Sequence, residues 1–458
     1  MSSPHRPAES PSIGSSTPLK VFFVGDNRTA VNWGRAASIA LETLLAASFR
    51  VVGRVTGDQF ILRFAAAGYI RTLLPSKYYG LFRHILSNRH KWRILDRYIR
   101  FEELLGARDF IREDPVETVD ILIAEKYRHP ALADIHKQAS AADIVVLDGD
   151  GDIIFTSPPR RETLFLLAMI ELGLRLGKRV FLVNSMISDC PLTGRNCKTL
   201  DAARGLLVKC SAVALRDPVS FEYVRKEMRD VNCSYIPDSL FTWFPVFQGA
   251  SAKPPANGDF LIPFPEAAEY WGKLDFTKPY ICIGGGALSA SDPANSIRCY
   301  GLLVDAIKEL GLPVYLTEND TPDSFLRVVA KAKGLGLIPA TAPILMCGAV
   351  LANARIFISG RYHPSILASL GGTPCIFLGS HAHKMSSLSR VLECQGGGHF
   401  EAFPDESAVL AIVSTAKNYL SQAGSLRAKI RNVSRMRCDE ASQLPDYILK
   451  NLSAANRV

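Results

Sequence analysis

Residues 143–184 read DIVVLDGDGDIIFTSPPRRETLFLLAMIELGLRLGKRVFLVN, and their pattern decides the fold. Asp143–Leu147 is a short apolar run that predicts a buried strand, and DGDGDIIF from Asp148 onward reads as its exit loop. Glu162–Leu176 carries apolar residues on a helical period, and Lys178–Asn184 supplies the next strand. Strand, helix and strand in that order imply parallel strands joined by a right-handed crossover, hence an α/β domain.

The same alternation extends both ways. Leu19–Asn27 (LKVFFVGDN) is an apolar strand with a polar end, and Trp33–Ala47 places Ala36, Ala37, Ala40, Leu41, Leu44 and Leu45 on one helix face. Downstream, SAVAL ends in Arg216-Asp217 before a helix starting near Val219. Residues 249–259 are rich in Pro, Gly, Ala and Ser and read as a linker. A second α/β domain follows: strands Tyr280–Ile283, Val314–Thr317, Arg355–Ser359 and Cys375–Leu378, helices Ser296–Leu310, Phe325–Lys333 and Pro364–Leu370. The resulting plan is a tail over 1–18, an α/β domain over 19–248 with a basic helical insertion at about 54–140, the linker, a second α/β domain over 260–405, and closing helices over 406–458.

At 458 residues two cores are expected. A hydrophobic fraction of 48% with 21% charged residues excludes disorder for the body of the chain. The formal charge of +9, from 53 Lys and Arg against 44 Asp and Glu, favours anionic partners without choosing among them. Ten scattered cysteines suggest reduced thiols and a cytoplasmic protein. The N-terminus is Pro- and Ser-rich without an apolar segment, and Leu164–Val183 is interrupted by Glu171, Arg175, Lys178 and Arg179, so neither a secretory signal nor a membrane span is expected. Residues 71–100 hold eight Lys or Arg among five interleaved aromatic residues. That suits peripheral contact with an anionic membrane or a lipid-linked acceptor, and equally a solvated basic insertion.

Ligands of open α/β sheets collect at the carboxyl ends of the strands. Here these ends are Gly25-Asp26-Asn27, Asp148 to Asp152, Asn184-Ser185, Arg216-Asp217, Gly284-Gly285-Gly286, Thr317-Glu318-Asn319 and Gly360-Arg361-Tyr362-His363. The last is the sharpest: Arg361 offers a fork for carboxylate or phosphate, His363 can donate or transfer a proton, and a helix N-terminus opens beside them. Arg216-Asp217 reads equally as a capping pair, with Asp217 as N-cap and Arg216 facing solvent. The glycine run at 284–286 matches no phosphate-loop pattern. His381 and His383 form an HxH pair, but without nearby carboxylates and beside Lys384 it is a poor metal site, and no metal or cofactor is expected.

With those residues in hand, the chain resembles the polysaccharide pyruvyl transferase family. The likeness lies in GDNRTAVNWGRAASIAL, DIVVLDGDGDIIF, AVALRDPVSFEYV and FISGRYHPSILASLGGTPCIFLGSHAHKMSSL, in that order between about Leu19 and Leu388. The resemblance implies two Rossmann-like domains in a glycosyltransferase-B-like arrangement, with phosphoenolpyruvate bound between them. It implies transfer of pyruvate as a ketal onto a sugar of a surface polysaccharide or its lipid-linked precursor, with no nucleic-acid partner. Carried over by position, Arg216, Arg361 and His363 form the donor site, with Asp150 or Asp217 accepting a hydroxyl proton. Asp26, Asn27, Asp148, Gly284, Gly285, Gly286, Tyr362 and Lys384 complete the expected substrate-binding set. The chain departs from the family where Asp148, Asp150 and Asp152 interrupt the glycine run, and in the length of its basic insertion. A nucleotide-sugar glycosyltransferase, or a glycan- or membrane-binding protein without catalysis, is the alternative reading.

Overall fold

The structure, a computed structural model, describes residues 18–28, 31–56, 110–126, 130–249, 252–258, 261, 274–289, 291–380, 382–394 and 399–454. The basic stretch at 71–100 and His381 of the HxH pair lie outside the described residues.

The first domain is a parallel sheet of β1 (Lys20–Asp26), β2 (Arg50–Thr56), β3 (Ile144–Phe155), β4 (Arg179–Asp189), β5 (Ala212–Leu215) and β6 (Cys233–Tyr235), in the order β2-β1-β3-β4-β5-β6. Its strands alternate between two cores. Val21, Phe23, Ile144 and Val146 face one side with Leu41 and Leu45 of α1 (Arg35–Ala46). Phe22, Val24, Val145 and Leu147 face the other, with α2 (Pro115–Glu125), α3 (Pro130–Ala141), α4 (Arg161–Arg175) and α5 (Cys197–Leu207). Sheets buried on both faces need apolar residues on both, which is why these strands read as continuous apolar runs. Helix α6 (Pro218–Glu227) follows β5.

The second domain is a parallel sheet in the order β12-β11-β10-β7-β8-β9. Its strands are β7 (Ile281–Gly286), β8 (Val314–Thr317), β9 (Gly336–Ile338), β10 (Ile356–Gly360), β11 (Cys375–Leu378) and β12 (His399–Phe400). Helices α7 (Pro293–Lys308), α8 (Phe325–Lys333), α9 (Ile344–Asn353), α10 (Tyr362–Leu370) and α11 (Lys384–Val391) connect them. In the first sheet the strand order reverses between β1 and β3, in the second between β7 and β10. Ligand clefts of such sheets open at those two points.

The domains share an apolar core. Trp33, Ala36 and Ala37 at the start of α1, and Leu240 and Phe241 of a 3-10 segment (Ser239–Phe247), are buried with Leu351, Ile366 and Leu367 of the second domain. Burying one such phenylalanine is worth about 1.5–3 kcal/mol, so this contact fixes how the strand ends face one another. Helices α12 (Glu406–Ser421) and α13 (Ala423–Ala441) follow the second sheet, and α14 (Leu444–Ala454) returns to the first domain, burying Leu444 and Ile448 beside Leu41 and Phe181. No helix among the described residues is long and apolar enough to cross a membrane.

Two expectations are corrected. DGDGDIIF is not an exit loop: β3 runs on to Phe155, with an irregularity of register between Asp150 and Ile153. The extra length is held by β4, which pairs Ile153 with Ile187, Ile154 with Ser188 and Phe155 with Asp189. The insertion expected over about 54–140 is also narrower, because Arg54–Thr56 complete β2 while Val119, Leu122, Leu132 and Ile135 of α2 and α3 are buried in the first core.

Candidate active site

The cleft is built where the two reversal points meet. Arg216, at the end of β5, has only 1% of its surface exposed and therefore does not face solvent. Its Nη1 donates to Asp150 Oδ1 at 2.5 Å and Asp238 Oδ2 at 3.1 Å, and lies 3.2 Å from His363 Nε2 of the second domain. The guanidinium carbon sits 4.3 Å from the ring centroid of Tyr362, a cation–π contact that buries the cation against an aromatic face. Arg216 Nε and the Tyr362 hydroxyl are buried without hydrogen-bond partners among the described residues. Buried polar groups of that kind are expected to meet a ligand or water.

Asp150 occupies the left-handed region at φ 39°, which turns its carboxylate into the cleft. Its Oδ1 lies 3.5 Å from His363 Nε2. Burial alone would raise the Asp150 pKa, but the Arg216 cation outweighs it, helped by His363 and Lys384, and holds the carboxyl well below the ordinary range. Asp148 behaves oppositely, because burial and then the neighbouring Asp150 push it well above that range. Its oxygens accept from Ser38 Oγ at 2.9 Å and Asn184 Nδ2 at 3.2 Å, so it braces the end of β3. Asp152, half-buried beside Arg160 at 3.1 Å, is raised to about 6 by desolvation.

Lys384 opens α11 and reaches across the cleft to Gly151. A Cβ at Gly151 would collide with Lys384 Nζ and stand 3.1 Å from Arg216 Nη2, so only glycine lets both cations approach this strand. Among the described residues Lys384 Nζ makes no hydrogen bond or ion pair. Desolvation lowers its pKa to about 8, with Asp150 opposing.

Arg361 points elsewhere than expected. It flanks α10, but its fork grips Asp323, Nε at 3.1 Å and Nη2 at 2.6 Å. A Cβ on Gly285 would collide with that carboxylate, so the glycine run at the end of β7 makes room for the Arg361–Asp323 pair. Burial raises Asp323 to about 6 against the pull of Arg361. Arg361 Nη1 and the first-turn amides of α10 remain for an anion.

Asp217 does cap α6, accepting from Ser220 N at 2.8 Å, and its remaining capacity goes to Ser220 Oγ at 2.7 Å and Ser387 Oγ at 2.6 Å. His383 Nε2 adds a contact at 3.3 Å. Burial would raise this carboxyl, yet His383 and the hydroxyls hold it at about 2. Asp217 is thus a strap between the domains, occupied on both oxygens, rather than a group open to substrate. Asp26 is buried against Arg28 at 2.5 Å, and Asn27 N donates at 3.1 Å to the Ser38 Oγ that in turn donates to Asp148.

The structure therefore gathers Arg216, Asp150, His363, Tyr362 and Lys384, and sets Arg361 beside them with its own counter-ion. Asp148 and Asp217 stand behind this group as supports, whereas Asp26 is tied to Arg28 and Gly284 faces Ser359 and Thr317. Asp238, Asp323 and Arg160 escaped the sequence reading. Asp238 carried a local signal, since it caps the 3-10 segment by accepting from Leu240 N at 2.9 Å.

Two Rossmann-like domains joined by a shared core, with charged strand ends facing across a cleft, define a glycosyltransferase-B-like protein. The UDP-GlcNAc 2-epimerase from Neisseria meningitidis bound to UDP-GlcNAc has this fold, with a TM-score of 0.51 and 10% identity over 95% of this chain and 100% of that one. A UDP-glucosyltransferase from Polygonum tinctorium gives a TM-score of 0.49 and 13% identity over 95% of this chain and 99% of that one. No curated protein matches the chain in sequence. The model of the family described as Polysaccharide pyruvyl transferase matches residues 66–382, and the chain belongs to that family, as its motifs suggested.

Proposed function

We propose that the protein transfers the pyruvyl group of phosphoenolpyruvate to two hydroxyls of a sugar, forming a ketal on a polysaccharide or its precursor. The observation that carries this reading is the approach of Arg216 and His363 to 3.2 Å across the cleft, with Lys384, which makes no ion pair among the described residues, against Gly151 of β3. A small dianion bearing carboxylate and phosphate needs several cations in a water-poor site, and this cleft supplies them.

In the reaction the methylene C3 gains a proton, a sugar oxygen bonds to C2, the C2–O bond to phosphate breaks, and the second sugar oxygen closes the ketal. Of the two hydroxyl protons lost, one balances the proton gained by C3 and the other leaves with phosphate. His363 Nε2 is the proton carrier to C3, being held between Asp150 and Arg216. Lys384 and Arg216 take the phosphate, and Arg361 the carboxylate through Nη1. A donor that draws on Arg216 relaxes its hold on Asp150, which makes that carboxylate a better base for the incoming hydroxyl.

The nucleotide-sugar alternative finds less support. Glu318, the buried glutamate at the end of β8, is committed to Arg327 at 2.8 and 2.9 Å. Thermal-shift measurements separate the two: phosphoenolpyruvate raises the melting temperature while UDP, GDP and CMP sugars do not, and the reverse pattern overturns the proposal.

A further inference from the structure

Strands β3 and β4 outrun their neighbours. β1 pairs with β3 only as far as Leu147 and β5 with β4 only as far as Ser185, yet β3 and β4 stay paired to Phe155 and Asp189. This two-stranded extension projects past the sheet, and its β4 strand borders a cavity of about 370 Å³. The lining is Ser188 and Asp189 from β4, Pro191 from the turn after it, Tyr223 from α6, and Ala382 and His383 from the second domain.

The cavity adjoins the donor site on both sides. On the first domain its Tyr223 lies on the helix that Asp217 caps, directly after Arg216. On the second its His383 directly precedes Lys384. Along β4, Ser185 pairs with Asp150 and Ser188 with Ile154, so Ser188 lies about 10 Å further along the strand than the residue paired with Asp150, at 3.3 Å per residue.

Its chemistry suits a neutral polyhydroxylated ligand. Ser188 Oγ is buried, 3% of the residue being exposed, and has no partner among the described residues. Asp189 is fixed as an acceptor by Tyr223 Oη at 2.8 Å and Arg195 Nη2 at 2.6 Å, which neutralise it while leaving lone pairs for further donors. His383 is anchored by Ser220 Oγ at 3.0 Å. Pro191, Ala382 and the Tyr223 ring supply apolar surface for the C–H face of a pyranose. The volume lies within the range of about 300–1,000 Å³ typical of small-molecule sites.

We propose that this cavity is the acceptor subsite and holds the hexopyranose residue that receives the pyruvyl group. The assignment rests on the pyruvyl-transfer reading above. A sugar seated on Ser188 and Asp189 points its two reacting hydroxyls inward, past His383, toward Asp150 and the C2 carbon of the donor. The aspartates that interrupt the family's glycine run then have a purpose, because Asp150 meets the acceptor where a glycine would leave water.

The test uses the full-length protein and methyl β-glycosides of glucose, galactose, mannose and N-acetylglucosamine as probes, read by saturation-transfer NMR. At least one probe should receive saturation from the wild type, and the signal should fall at least fivefold in Tyr223→Ala, which removes a wall, and in Ala382→Leu, which fills the space. Stabilisation by phosphoenolpyruvate should persist in both variants, and this also reports that they are folded. If Tyr223→Ala fails to fold, Ala382→Leu alone decides. Wild-type signals in the folded variants, or no signal from any probe with the wild type, overturn the assignment. If the sugar signals behave as expected but phosphoenolpyruvate neither stabilises nor is consumed by the wild type, the pyruvyl-transfer reading falls while the cavity stands as a sugar site.

Discussion

Replacing Arg216 with methionine tests whether the centre of the cleft is held by its charge. Methionine keeps much of the volume under the Tyr362 ring but removes the cation between Asp150 and the fully buried Asp238. Breaking a buried ion pair from one side costs about 3–5 kcal/mol, because the remaining charge is left without a partner. Asp150 is 21% exposed and partly screened, so the low end of that range is the better expectation. For a domain of this size each kcal/mol shifts the melting temperature by about 2–4 °C, giving a fall of roughly 10 °C at pH 7.5. The pH dependence has a definite sign. In the wild type Asp150 is held below its unfolded pKa, so its contribution is present above that pKa and survives at pH 5.5. Without Arg216, burial is left to raise the Asp150 carboxyl, a penalty that falls as acid protonates it. The deficit of Arg216→Met therefore narrows between pH 7.5 and 5.5, and Asp238→Asn in the same chain recovers part of it. Differential scanning calorimetry at the two pH values decides. A variant melting within about 2 °C of the wild type, or a deficit that widens in acid, refutes the reasoning.

Three further outcomes are expected. Lys384 loses its proton near pH 8, so the KM for phosphoenolpyruvate should climb above that pH, by up to tenfold per unit for a single required proton, and Lys384→Arg should flatten the climb; steady-state kinetics from pH 7 to 9.5 check this. Tyr362→Phe removes a buried hydroxyl that has no partner among the described residues and keeps the ring over Arg216, so its melting temperature should match or exceed the wild type, whereas Tyr362→Leu should cost about 1–2 kcal/mol. Gly285→Ala must displace Asp323 and with it the Arg361 fork, so binding of phosphoenolpyruvate by calorimetry should weaken at least tenfold, about 1.4 kcal/mol, while the far-ultraviolet circular dichroism stays unchanged.

The fold was legible because it is written locally. Apolar runs such as KVFFV and IVVL, ending in glycine or aspartate and followed by helical periods, place the strands that carry Asp150, Arg216 and Arg361 to the cleft. What was not legible is long-range pairing. DGDGD has the composition of a turn, and only the partner strand β4 and the donors Ser38 and Asn184 keep it extended with Asp148 buried. Arg216 and Arg361 were found as strand-end arginines, but the sequence could not say that one meets His363 from 147 residues away while the other is held by Asp323. Asp217 shows the converse. Its capping role was readable from Asp-Pro before a helix, but its strap to Ser387 and His383 depends on how two domains meet. This difference carries a consequence for the chemistry. If the donor binds as proposed, it draws Arg216 away from Asp150, which becomes more basic as the donor arrives, while Asp323 stays on Nε and Nη2 of Arg361 and leaves Nη1 for the donor carboxylate.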